Sequence, residues 1–96
     1  MQPDDVTAAT PERITMELRE IESALVNAIG EFSGQLPQEQ LDDMRELAKA
    51  GEPGIALENL LTQIAEYQVA VNVGTLETLR KLGLAMGIDP KYWNRI

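Results

Sequence analysis

Cysteine and histidine are both absent from this 96-residue chain. Without cysteine there is no disulfide, no thiolate zinc site and no thiol nucleophile. Without histidine the commonest metal ligand and the usual general base near neutral pH are missing as well. Aromatic side chains are scarce, with one Trp, one Phe and two Tyr, so a core has to come from Leu, Ile, Val, Ala and Met. No apolar run approaches the roughly 20 residues of a membrane span. The opening MQPDDVTAATPER is acidic, unlike the basic-then-apolar start of a secretory signal. These absences predict a cytoplasmic, non-enzymatic protein with no catalytic residue, no cofactor and no metal.

What is present is ordinary globular material: 44% apolar and 25% charged residues. A chain of this length fits one domain, with a thin margin of stability. Sixteen carboxylates against eight Lys and Arg give a net charge of −8. That charge disfavours nucleic acid and anionic membrane, and attracts basic partners at long range. It is also uneven. Residues 1–40 carry eight acids and two bases, and residues 41–96 carry eight acids and six bases.

The apolar pattern predicts an all-α fold, a small bundle of four helices plus a short C-terminal helical turn. Residues 1–9 show no periodicity and read as a frayed tail, with a single helical domain over residues 10–96. Thr10-Pro11-Glu12 combines a capping hydroxyl, a proline for the first helical position and an acid for the positive end of the dipole. Ile14, Leu18, Ile21, Leu25, Ala28 and Ile29 follow as one stripe, and Gly30 with GEFSGQ makes a turn. A second helix from about Pro37 turns Leu41, Met44, Leu47 and Ala48 inward and stops at Gly51, with Lys49 at its negative end. Pro53 opens the third, with Gly54 allowing close packing at the corner and Ile55, Leu57, Leu60, Leu61 and Ile64 facing the core. QVAVNVG reads as a connector. A fourth helix from about Thr75 presents Leu76, Leu79, Leu82 and Met86 and ends at Gly87. Asp89-Pro90 caps a last turn, from which Trp93 folds back over the bundle.

Four carboxylates form the most informative group. Glu39, Asp42, Asp43 and Glu46 are spaced i, i+3, i+4, i+7, which places them on one stripe opposite Leu41, Met44 and Ala48. Like charges four apart cost a helix a few tenths of a kcal/mol per pair, roughly. Three readings remain open: a solvated face, a docking strip for a basic partner, and a metal site. The last is disfavoured because four carboxylates on one regular helix cannot wrap a cation as a folded loop does. Glu17 and Glu20 extend the acidic surface or pair weakly with Arg13 and Arg19. Tyr67, at the end of a helix, is an exposed aromatic candidate for an interface. Trp93 reads as packing.

The ordered set AGEPGIALENLLTQIAEY (Ala50 to Tyr67) followed by LETLRKLGLAMGIDPKYW (Leu76 to Trp93) resembles the MafI-type family of small bacterial immunity proteins. The likeness spans about Leu41 to Trp93, and VNVGT (Val71 to Thr75) departs from the Ser-Pro type of cap expected before the fourth helix. The resemblance implies a non-enzymatic antidote that binds the C-terminal domain of a cognate secreted toxin, often a nuclease, in the producing cell. Such a partner is basic, and an acidic bundle suits it. The expected contacts are Glu39, Asp42, Asp43 and Glu46, joined by Glu17, Glu20 and Tyr67. No nucleic acid or membrane partner is expected, and the free protein is expected as a monomer or weak dimer. The alternative is a regulatory or adaptor module that takes a basic peptide or partner helix.

Overall fold

The structure, a computed structural model, describes residues 17–96. The expected helix start at Thr10 and the tail over residues 1–9 lie outside them. Among the described residues the chain is all-α. Helix α1 spans Leu18–Gly30, α2 Gln38–Lys49, α3 Pro53–Glu66 and α4 Val73–Met86, and a 3-10 turn covers Pro90–Tyr92. This is the expected bundle of four helices and a short C-terminal turn.

The start of α1 differs from the sequence reading. A helix continuous from Thr10 would pass through Glu17, but Glu17 is extended (φ −72°, ψ 153°) and forms the N-cap. Its backbone N–H donates to Glu20 Oε1 at 3.1 Å, which satisfies one of the donors that a helix start leaves open. Leu18 therefore lies at the open end of the helix and is exposed, outside the stripe in which it was expected. Ile21, Leu25, Ala28 and Ile29 are buried as the spacing requires.

The turn after α1 is also part of the core. The N–H groups of Gln35 and Leu36 both donate to the Phe32 carbonyl, at 2.9 and 3.1 Å. This folds the segment tightly enough to bury Phe32 and Leu36. Neither sits in a helical period, so no stripe announced them.

Helices α2, α3 and α4 end in the same way. In each, one N–H reaches back five residues: Glu52 to Leu47 at 2.9 Å, Val69 to Ile64 at 3.0 Å, Ile88 to Gly83 at 2.9 Å. The preceding residue occupies the left-handed region: Gly51 at φ 88°, Gln68 at φ 54°, Gly87 at φ 67°. That is the Schellman arrangement, which uses up orphan carbonyls and turns the chain sharply. At Gly51 the turn leads directly into Pro53, the first residue of α3, where a missing N–H costs nothing. Gly54 is not needed for packing at this corner, since a Cβ there would meet Ile88 Cδ1 at 3.9 Å, an ordinary contact. At Gln68 the left-handed residue is not glycine.

Helix α3 is central. Pro53, Ala56, Leu57, Leu60, Leu61 and Ile64 are buried along it, and it packs most extensively on α2 while also touching α1, α4 and the C-terminal turn. Ile55 was expected on this face. It is exposed instead, because it lies about 200° of helix rotation from Leu57 and so points away from the buried stripe. Helix α4 contributes Leu79 and Leu82, both fully buried, with Leu76 and Met86 half-buried. Its N-cap is Asn72, whose Oδ1 accepts from the Thr75 N–H at 2.8 Å. Fully burying each Leu contributes about 1.5–3 kcal/mol, so this short list of aliphatic side chains carries most of the stabilisation.

Candidate functional site

Leu41, Met44 and Ala48 anchor α2 in the core. The helix period then forces the opposite positions outward, and Glu39, Asp42, Asp43 and Glu46 are all exposed on that face. Asp42 is tied into its surroundings. Its Oδ1 accepts from Gln38 Nε2 at 3.0 Å and lies 3.4 Å from Arg45 Nη1. Gln38 in turn accepts from Ser33 Oγ at 3.4 Å, so a short polar chain runs from the α1–α2 turn to Arg45. Glu39, Asp43 and Glu46 have no hydrogen-bond or ion-pair partner among the described residues.

The electrostatics of this face follow from the spacing. Glu39 with Asp43 and Asp42 with Glu46 are like charges four apart, each pair costing roughly a few tenths of a kcal/mol. Arg45 relieves Asp42, although a surface ion pair of this kind is worth only about 0–1 kcal/mol. Glu39 sits in the first turn, where the helix dipole favours it. Gln40 Oε1, beside this face, accepts from Gln63 Nε2 of α3 at 2.7 Å, which fixes α2 against its neighbour. The result is a firmly held helix with three unpaired carboxylates and a fourth partly neutralised. Glu39, Asp43 and Glu46 can meet cationic side chains without first breaking contacts of their own.

The other expected residues lie on other elements. Glu17 and Glu20 form the capping contact of α1, so Glu20 has a structural task. They make no ion pair with Arg19, since Arg45–Asp42 is the ion pair found among the described residues; Arg13 lies outside them. Tyr67 is the C-cap of α3 and is exposed. No hydrogen bond or ion pair among the described residues joins Glu17, Glu20 or Tyr67 to the α2 face. The structure thus sets the four residues of α2 on one face, with Glu17 and Glu20 at the start of α1 and Tyr67 at the end of α3.

The opposite sign of charge gathers at the C-terminal end, a feature the sequence reading noted only as an uneven charge balance. Arg80 lies over the Trp93 ring, 5.6 Å from its centroid, and Lys91 Nζ lies 5.3 Å from that of Tyr92. Lys91, Tyr92 and Arg95 border a shallow groove against Leu61, Thr62 and Ala65 of α3. The available signal was the run of bases from Arg80 to Arg95 interleaved with both aromatic residues.

Among the described residues no group of three or more Asp or Glu is placed to hold a metal ion. No described helix is long and apolar enough to cross a membrane. Comparison with known proteins found no family model, no curated protein and no solved structure that matches the chain.

Proposed function

We propose that this chain is an immunity protein that neutralises a cognate secreted toxin domain, a basic nuclease, by stoichiometric blocking in the cytoplasm of the producing cell. The observation that carries the reading is the exposed carboxylate face of α2, with Glu39, Asp43 and Glu46 unpaired among the described residues on a helix fixed from behind. A nuclease cleft presents cations where substrate phosphates bind, and carboxylates on a rigid support can occupy those positions. Complementary charge also raises the rate of encounter, which suits an antidote that has to reach its toxin before the toxin reaches nucleic acid. On this reading the protein is not an enzyme and carries no cofactor.

The test is co-expression of the toxin domain encoded beside this chain, with and without it, following growth and the integrity of total RNA and DNA. Rescue of growth with intact nucleic acid is the expected outcome. A neighbouring domain that is harmless, or that kills regardless of this chain, would overturn the proposal.

A further inference from the structure

The two most exposed large apolar side chains in the structure belong to one helix: Leu84 is 85% and Val73 73% accessible, both on α4. Glu77 and Arg80 are exposed between them. At about 100° per residue all four positions fall within an arc of about 60°, on the side of α4 away from buried Leu79 and Leu82. They form a strip about 16 Å long that reads apolar, acidic, basic, apolar.

That order is self-complementary. Val73 and Leu84 are equidistant from a point midway between Thr78 and Leu79, and Glu77 and Arg80 are equidistant from the same point. A second α4 laid antiparallel about a two-fold axis through that point therefore sets Val73 against Leu84 twice and Glu77 against Arg80 twice. Isologous pairing of this kind is the commonest way in which soluble chains associate. Arg80 is prepared for it. Its guanidinium lies over the Trp93 ring, and the planar fork of an arginine suits a carboxylate. The ion pair found among the described residues is elsewhere, at Arg45 and Asp42. The hollow beside Leu84, lined by Gly83, Gly87, Pro90 and Trp93, offers a seat for Val73 of the second copy.

We propose that the outer face of α4, carrying Val73, Glu77, Arg80 and Leu84, is the interface of a two-fold symmetric dimer of this chain. Helices α2 and α4 each pack extensively on α1, and no comparable contact joins α2 to α4 among the described residues. The dimer thus leaves the carboxylate face of α2 open on each copy. It does not depend on the function proposed above. Contact along about three turns of helix is at the small end of specific interfaces, so dissociation is expected on the order of 10–100 μM. The net charge of −8 on each copy opposes pairing when unscreened, so the measurement belongs at about 0.15 M salt.

Sedimentation equilibrium from about 1 μM to about 1 mM tests it. The wild-type chain is expected to pass from monomer to dimer over that range. Leu84→Glu is expected to leave it monomeric, and Glu77→Arg or Arg80→Glu alone to weaken the dimer about tenfold or more, because each change enters the interface twice. The double variant Glu77→Arg with Arg80→Glu re-forms both pairs in the reversed sense and is expected to recover most of the loss. All these positions are exposed, and circular dichroism confirms that each variant is folded. A wild-type chain monomeric up to about 1 mM would overturn the proposal, whether or not another protein is later found on this face. Single charge reversals without effect, or a double reversal that recovers nothing, would overturn it equally.

Discussion

The indole of Trp93 rests directly on Gly83. A Cβ added at Gly83 would come within 2.5 Å of Trp93 Cζ2 and 3.3 Å of Cε2, so α4 keeps a glycine in its buried wall to seat the ring. The C-terminal turn is held to the bundle by this contact together with the Arg80 stack.

Gly83→Ala is therefore expected to displace the ring, read as a red shift of tryptophan emission. Crowding of this kind costs about 1–3 kcal/mol, while alanine in place of glycine inside a helix returns up to about 1 kcal/mol. The two effects separate in a cycle. In a Trp93→Ala background the same Gly83→Ala change is expected to be stabilising by up to about 1 kcal/mol in denaturant unfolding. A destabilisation there would mean that the glycine serves something other than the indole.

The register of α3 can be tested by a pair of substitutions. Leu57 is fully buried and Ile55 is exposed. Leu57→Ala is expected to cost about 2–5 kcal/mol, a large part of the stability of a domain this small. Ile55→Ala is expected to stay within about 0.5 kcal/mol. Equal costs in thermal unfolding would place α3 in a different rotation.

The left-handed residues at the helix ends make opposite predictions. Gln68 holds φ 54° without being glycine, a conformation that costs about 1–2 kcal/mol for a residue with a Cβ. Gln68→Gly relieves that strain and returns about 0.4–1 kcal/mol of it through a looser unfolded chain, for a net stabilisation of about 0.5–1 kcal/mol. Gly51→Ala imposes the same strain at φ 88° and is expected to destabilise by about 1–2 kcal/mol. Urea midpoints of the two variants should move in opposite directions.

At the α2 face, Asp42→Lys with Asp43→Lys is expected to slow association with a basic partner domain, more strongly as salt is lowered. Stability should change by no more than about 0.5 kcal/mol, because both side chains are exposed. Stopped-flow association at two ionic strengths, beside a thermal unfolding control, checks both parts. Unchanged association kinetics would remove this face from the interface.

The helices of this fold were legible because their signals are local. Pro37, Gly51, Pro53, Gly87 and Asp89-Pro90 mark ends by backbone chemistry that acts over a few residues. What escaped depends on partners distant in the chain or on weaker signals. Asn72 was passed over as a cap, although its side chain does what a serine would do there. Thr75 is buried and donates through Oγ1 to Glu31 Oε1 at 2.6 Å, a contact across 44 residues that no period reveals. Phe32 and Leu36 reach the core from a turn, where apolar residues have no spacing to read. Ile55 misled because a helix with apolar residues on several sides does not say which side is covered, and Leu18 because the period does not say where the helix begins. For the site, the common face of Glu39, Asp42, Asp43 and Glu46 followed from spacing alone. Where Glu17, Glu20 and Tyr67 stand relative to that face does not follow from spacing, because it is set by how the helices pack.

The corner from Ala50 to Glu52 bears on the order in which the chain assembles. Among the described residues it is the shortest connection between helices, and the two it joins make the most extensive contact. Closing that pair loses the least chain entropy, and local pairings of this kind form early. Helix α4 has to cross a longer connector and then reach back to Glu31, so it docks later. Amides of α2 and α3 are accordingly expected to be the slowest to exchange with solvent hydrogen. What a chaperone meets in a half-made or heat-stressed molecule is then the α2–α3 hairpin, with Leu41, Leu57, Leu60 and Leu61 not yet fully covered.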